Sequence, residues 1–255
     1  MKLCIEQFFF SLAAGALAAR GGNVFVIGRN RQRIDGTLQH LKTLGDGQHI
    51  GQALDAAVPD DMSQMAAICK ETYGHADLLV FSAVVTGYED ISRMPPQILD
   101  LPLIAWRKAL DVNLHGVFLA NKAVLPLMIP QGKGDIINIG SALTRHGMRG
   151  RAHAASYSAT KYALAAFTKC LASEVSERGI RVNAIFPGTV ATPLIEGTAL
   201  ASEFGGQITA EHLADSLVRL LEFSIDCLPS ESFILPMPGS GLNAQDRGAK
   251  DGTGS

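Results

Sequence analysis

The chain has 255 residues and a mass of 27.0 kDa, which is large for one small domain and short for two, so a single larger α/β or all-β domain is expected. Its 22 Lys and Arg against 24 Asp and Glu leave a formal charge of -2, with no positive excess to neutralise a phosphate backbone, which argues against nucleic acid as the main partner. Hydrophobic residues at 47% and charged residues at 18% exclude a disordered chain.

Residues 1–20 combine one early lysine, an apolar stretch from Phe8 and small-residue spacing, the outline of a secretory signal, but Glu6 interrupts them and the positive end is thin. The stretch is too short and too broken to span a bilayer, and no membrane association is expected. After Gly21-Gly22, residues 23–27 form a β-branched and aromatic run stopped by Gly28, which reads as a buried strand. Residues 31–44 follow with Ile34, Leu38 and Leu41 at helical spacing. The alternation then repeats. Strands are predicted at 49–54, 77–82, 135–139, 180–186 and 232–235, and helices at 60–73, 103–128, 155–178 and 210–222. Strand and helix in alternation imply parallel strands joined by right-handed crossovers, hence a doubly wound sheet covered on both faces, a three-layer α/β/α architecture. No linker or repeat divides the chain, so residues 1–237 are read as one domain with an atypical start at 1–11, and the Gly-rich polar residues 238–255 as a flexible tail.

The four cysteines, Cys4, Cys69, Cys170 and Cys227, are scattered, with no Cys-x-x-Cys and no histidine pair at ligand spacing. Neither a metal site nor a disulfide framework is indicated, and a cytoplasmic setting fits best.

In sheets of this kind ligands bind beyond the carboxyl ends of the strands. Ser156-Tyr157-Ser158-Ala159-Thr160-Lys161 opens a predicted helix, and a spacing of four stacks Tyr157 and Lys161 on one face. An ammonium one turn from a phenol favours the phenolate and lowers its pKa from near 10, which suits proton exchange. Sixteen residues upstream of the tyrosine, Ser141 follows the strand that ends Ile137-Asn138-Ile139-Gly140. Asn113, inside a predicted long helix, is placed to bridge Lys161 to solvent through a water. After the strand 180–186 comes the loop Pro187-Gly188-Thr189-Val190-Ala191-Thr192-Pro193, whose free backbone groups suit a planar amide. Each piece also has an ordinary reading, as helix surface, strand-ending turn, helix kink or βα turn.

Together, in this order, these pieces resemble the short-chain dehydrogenase/reductase family over about residues 17–236. The resemblance implies a Rossmann-type fold, a nicotinamide dinucleotide and a small carbonyl or secondary alcohol substrate. By it Tyr157 is the general acid/base, Lys161 lowers its pKa and holds the nicotinamide ribose, Ser141 orients the substrate oxygen, and Asn113 supports a proton relay. Thr144 is a lesser candidate for the serine's role, because the interval from Ser141 to Tyr157 is longer than usual. Arg29, with help from Arg31 or Arg33, stands where a base would pair with a 2′-phosphate, and no carboxylate appears until Asp35, so NADP(H) is favoured over NAD(H). Asp55 matches an adenine-contacting aspartate, Ala83 the retained residue behind the adenosine, and Pro187, Gly188, Val190 and Thr192 the nicotinamide loop.

Two departures stand out. The Gly-x-Gly of the phosphate-binding turn falls on Phe8-Phe9-Phe10, where phenylalanine blocks both tight turning and close backbone approach, and no normal first strand fits in front of it. The Asn-Asn-Ala-Gly after the fourth family strand is replaced by Phe81-Ser82-Ala83-Val84. Residues 12–20 nevertheless run into Gly21 as the family's first helix would, which weakens the secretory reading. A rival to the oxidoreductase is therefore a non-catalytic relative kept as an interaction or regulatory module. Residues 86–103 and 192–207 are expected to wall the substrate site, with His146 and His153 as possible contacts. The apolar faces of the helices 103–128 and 155–178, with Phe118, Leu125, Phe167 and Leu171, predict a homodimer or homotetramer.

Overall fold

The computed structural model describes residues 2–6, 11–85, 96–144, 153–191, 207–223 and 232–235. Its strands are β1 (Lys2–Glu6), β2 (Asn23–Gly28), β3 (Ile50–Ala53), β4 (Leu78–Phe81), β5 (Gly134–Ile139), β6 (Ile180–Pro187) and β7 (Ser232–Ile234). Its helices are α1 (Ser11–Ala18), α2 (Arg31–Lys42), α3 (Pro59–Tyr73), α4 (Leu103–Leu110), α5 (Gly116–Met128), α6 (Ala155–Val175) and α7 (Ala210–Leu221). The strands form one seven-stranded sheet in the order β3-β2-β1-β4-β5-β6-β7, parallel at every pairing.

The expectation that no first strand fits is corrected. Lys2 to Glu6 pair with Asn23 to Ile27 on one side, and Leu3 to Ile5 with Leu78 to Val80 on the other, so β1 is a central strand. The position of the glycine turn, Phe8-Phe9-Phe10, lies outside the described residues, as does the expected tail.

Successive strand residues face opposite ways, and both faces are apolar because both are covered. Phe25, Ile27, Leu79, Phe81, Ile136, Val182 and Phe186 face α3, α5 and α6, contributing to one core with Met62, Met65, Val117, Val124 and Leu164. Val24, Val26, Leu78, Val80, Ile137 and Ile185 face α1, α2 and α7, with Leu17, Ile34, Leu41, Leu213 and Leu217. Residues 11–20, read above as a possible signal, thus supply the fold with Ala13, Ala14, Leu17 and Ala18, all essentially buried. Strand order reverses between β1 and β4, the switch point beyond whose carboxyl ends sheets of this kind offer a crevice to ligands.

The helix predicted over 103–128 is interrupted. Asp111–His115 is a π turn between α4 and α5, a local widening that recurs at functional sites, and Asn113 sits inside it.

Candidate active site

Strand β5 ends at Ile139, and Gly140 and Ser141 follow beyond its carboxyl edge. Glycine is required at 140 by close approach. A Cβ there would stand 2.5 Å from Phe186 Cδ1 and 2.6 Å from Cε1, and Phe186 is fixed by stacking on Phe233 at 4.8 Å between centroids. Ser141 then turns into a short 3-10 segment, Ala142–Thr144. Its Oγ accepts from Leu143 N at 3.3 Å, while Thr144 Oγ1 donates to Ser141 O at 2.7 Å. Thr144 therefore directs its hydroxyl back at the turn, and the hydroxyl that meets the phenol of Tyr157 is that of Ser141.

Helix α6 brings Tyr157 and Lys161 one turn apart. Lys161 is 2% exposed, and its Nζ donates to Ile139 O at 2.6 Å while standing 5.9 Å from the Tyr157 ring centroid. Burial lowers the Lys161 pKa to about 7. Burial also raises the Tyr157 pKa, and the Ser141 hydrogen bond only partly counters it. The expected lowering of the phenol by Lys161 is thus corrected: the amine is turned onto a backbone carbonyl, and desolvation of the phenolate dominates.

Asn113 is fully buried. Its Oδ1 accepts from Val85 N and its Nδ2 donates to Val85 O, both at 2.8 Å, so its amide imitates a strand partner and braces the loop after β4. A second Nδ2 hydrogen bond reaches Thr160 Oγ1 at 3.2 Å, and Thr160 donates to Tyr157 O at 2.8 Å. Both amide donors are committed, to Val85 O and Thr160 Oγ1. Asn113 thereby joins the β4 loop, the π turn and α6. Thr160 and the carbonyls of Val85 and Ile139 were not singled out from the sequence; Thr160 alone carried a signal, lying between Tyr157 and Lys161.

On the other side of the crevice, Arg29 follows β2 and lies 3.9 Å from the Asp55 carboxylate beyond β3. Asp55 Oδ1 also accepts from Ala57 N at 3.0 Å. Arg31 forks onto Asp35 at 2.7 and 3.2 Å and donates to Gly51 O. Ala83 is buried in the segment that follows β4. In the Pro187-Gly188 loop, Gly188 N is taken by Ile234 O at 2.8 Å, Ala191 N by Ile208 O, and Thr189 O by Ile208 N. Several backbone groups expected to be free therefore tie the loop to β7 and to residue 208, and Val190 bridges Ile208. Thr192, His146, most of both substrate walls and the glycine turn lie outside the described residues. His153 is described, with φ 66, at the entry to α6.

The residues present fit a dinucleotide at two of its three parts. Among the described residues the Lys161 amine has one partner, Ile139 O, which leaves donors for a ribose diol, and the half-exposed Arg29 beside Asp55 offers a fork for phosphate or hydroxyl oxygens. Among the described residues there is no group of three or more His, Cys, Asp or Glu able to hold a metal ion.

A parallel sheet with its switch between β1 and β4, carrying a serine, a tyrosine and a lysine at the carboxyl edge, defines a Rossmann-type α/β protein. Comparison with known proteins narrows the class: the short chain dehydrogenase family matches over residues 11–201. The chain belongs to the short-chain dehydrogenase/reductase family. An uncharacterized oxidoreductase of Staphylococcus epidermidis is 31% identical over 210 residues, covering 82% of this chain and 84% of that protein. A 3-oxoacyl-[acyl-carrier-protein] reductase of Synechocystis is 36% identical over 182 residues, covering 71% and 69%. Among solved structures, a variant of actinorhodin polyketide ketoreductase with NADPH superposes with a TM-score of 0.78 at 25% identity, covering 91% of this chain and 94% of that one.

Proposed function

We propose that the chain is an NADP(H)-dependent oxidoreductase acting on a small ketone or the corresponding secondary alcohol. The observation that carries this reading is the hydrogen-bonded Ser141 and Tyr157 standing beside a buried Lys161 at the carboxyl edge of the sheet. When bound, the nicotinamide supplies or accepts the hydride. In reduction, Ser141 holds the substrate carbonyl oxygen and Tyr157 gives its phenolic proton to that oxygen as the carbon gains hydride. Oxidation runs the transfers backward, so Tyr157 receives the alcohol proton. A phenol is protonated at neutral pH, the form that gives a proton in the reductive direction. The 3-oxoacyl reductase and ketoreductase relatives support a ketone as substrate, and the NADPH of the solved ketoreductase supports the phosphate assignment to Arg29.

Fluorescence titration tests the cofactor step. Binding of NADPH at micromolar concentration, with NADH weaker, is expected; a chain that binds neither at millimolar concentration overturns the proposal. That outcome would favour a non-catalytic relative, the reading suggested by Phe8-Phe9-Phe10 in place of glycines. We also propose that two or more copies associate through α4, α5 and α6, where Leu103, Ile104, Phe118 and Tyr162 are exposed. Leu171 is buried and no longer belongs to that face, and Phe167 is half-buried against Phe118. A monomeric mass by light scattering at micromolar concentration would contradict association.

A further inference from the structure

Beneath the site, three polar side chains meet inside an otherwise apolar layer. Asn138 on β5, Asn121 on α5 and Thr168 on α6 are each at most 3% exposed, among Val117, Val124, Ile136, Leu164 and Leu171. Asn138 Nδ2 donates to Thr168 Oγ1 at 3.1 Å and to Asn121 Oδ1 at 3.4 Å. Asn121 Nδ2 donates to Asn138 Oδ1 at 3.1 Å and to Val117 O at 2.7 Å, and the Thr168 hydroxyl donates to Leu164 O at 2.8 Å.

Net stability does not account for such a cluster, because a fully apolar replacement of similar shape is commonly neutral or stabilising. A saturated polar network supplies something apolar packing does not: a single allowed register. Leucine side chains tolerate a small slide of a helix over a strand, whereas the same slide leaves buried amides without partners. Two of the three elements joined, β5 and α6, carry or lead into the reacting groups, and the third, α5, continues from the π turn that holds Asn113. Asn138 lies next to Ile139, whose carbonyl holds Lys161, and three residues before Ser141. Thr168 lies two helical turns beyond Lys161 on α6, and Asn121 follows Asn113 past the π turn. With the Lys161 contact, α6 is pinned to β5 at two levels, which fixes both its rotation and its height.

We propose that Asn138, clasped by Asn121 and Thr168, is a positioning residue of the active site: it sets the register of α5 and α6 on β5 and so the placement of Tyr157 and Lys161 against Ser141. This rests on the oxidoreductase reading.

The test replaces the whole clasp, as Asn138→Leu with Asn121→Leu and Thr168→Val, and follows urea unfolding, NADPH affinity and steady-state ketone reduction. The expected variant is folded and at least as stable as the parent and binds NADPH within a few-fold. Its kcat falls by about tenfold or more with KM little changed, as a misplacement of around an ångström would cause, and the pH profile of kcat moves. A folded variant with parental kcat and pH profile overturns the proposal. If the triple variant does not fold, Thr168→Val and Thr168→Ser decide: valine lowers kcat and serine restores it, and equal kcat for the two overturns the proposal. A parent chain that reduces no ketone refutes the oxidoreductase reading separately. The clasp is then judged by NMR titration of the Lys161 ε-carbon, which must shift between parent and triple variant; an unchanged titration overturns it.

Discussion

Lys161 is the most costly side chain in the site, and its cost can be measured. Burial drops its pKa from 10.5 to about 7, which corresponds to about 5 kcal/mol of penalty against the ammonium. Replacing it by methionine removes that penalty and keeps the packing of a long aliphatic chain. The loss is the hydrogen bond to Ile139 O, whose stranded carbonyl costs about 1–3 kcal/mol. Lys161→Met is therefore expected to unfold about 2–4 kcal/mol harder than the parent at pH 7, while losing turnover. The pH dependence has a definite sign. Between about 7 and 10.5 the unfolded lysine binds a proton that the folded one does not, so parental stability rises with pH across that window and the penalty is complete below it. The advantage of the variant should shrink as pH rises and be gone by about pH 10. Urea unfolding of both chains at neutral and alkaline pH measures this. A variant less stable than the parent at pH 7, or one whose advantage does not change with pH, would refute the assignment of a desolvated amine.

Gly140→Ala places a methyl 2.5 Å from Phe186 Cδ1, and because Phe186 stacks on Phe233 the ring has little freedom to yield. A loss of about 1–3 kcal/mol is expected from such overpacking, read by denaturant unfolding. Arg29→Ala is expected to weaken NADPH binding by about tenfold or more while leaving NADH within a few-fold, since the fork serves a phosphate; parallel titrations with the two cofactors check it. His49 has both ring nitrogens buried without a hydrogen-bond partner among the described residues, and burial lowers its pKa. The unfolded state therefore gains the proton first as pH falls, and stability is lost below about pH 6.5. Thermal unfolding at neutral pH and near pH 5 should show a smaller acid loss for His49→Leu than for the parent.

What could be read from the sequence was what depends on near neighbours. Tyr157 and Lys161 meet because four residues are about one helical turn, and Ser141 reaches them because the apolar run 135–139 could only be a strand ending there. The two core faces follow from strand geometry, because the continuous apolar runs of β2 and β4 turn successive residues to opposite sides. The first strand was missed because Lys2 to Glu6 offers only three apolar residues between charges. Its identity comes from pairing with β2 on one side and with β4, far along the chain, on the other. A helix kink at Asn113 was an available reading, but not the π turn or its brace, because Asn113 is held by Val85, 28 residues away. The phenol's raised pKa and the occupied Pro187-Gly188 backbone depend on desolvation and on β7, neither of which a spacing records. Asn138 stands among isoleucines, and its partners Asn121 and Thr168 lie 17 and 30 residues away.

The central claim is that Tyr157 exchanges the proton that accompanies hydride transfer. Its most direct test is the rate of NADPH oxidation with a ketone substrate in Tyr157→Phe, alongside its NADPH affinity. The variant is expected to bind NADPH as the parent does and to lose at least about a hundredfold in kcat. Turnover equal to the parent's, with binding intact, would contradict the account.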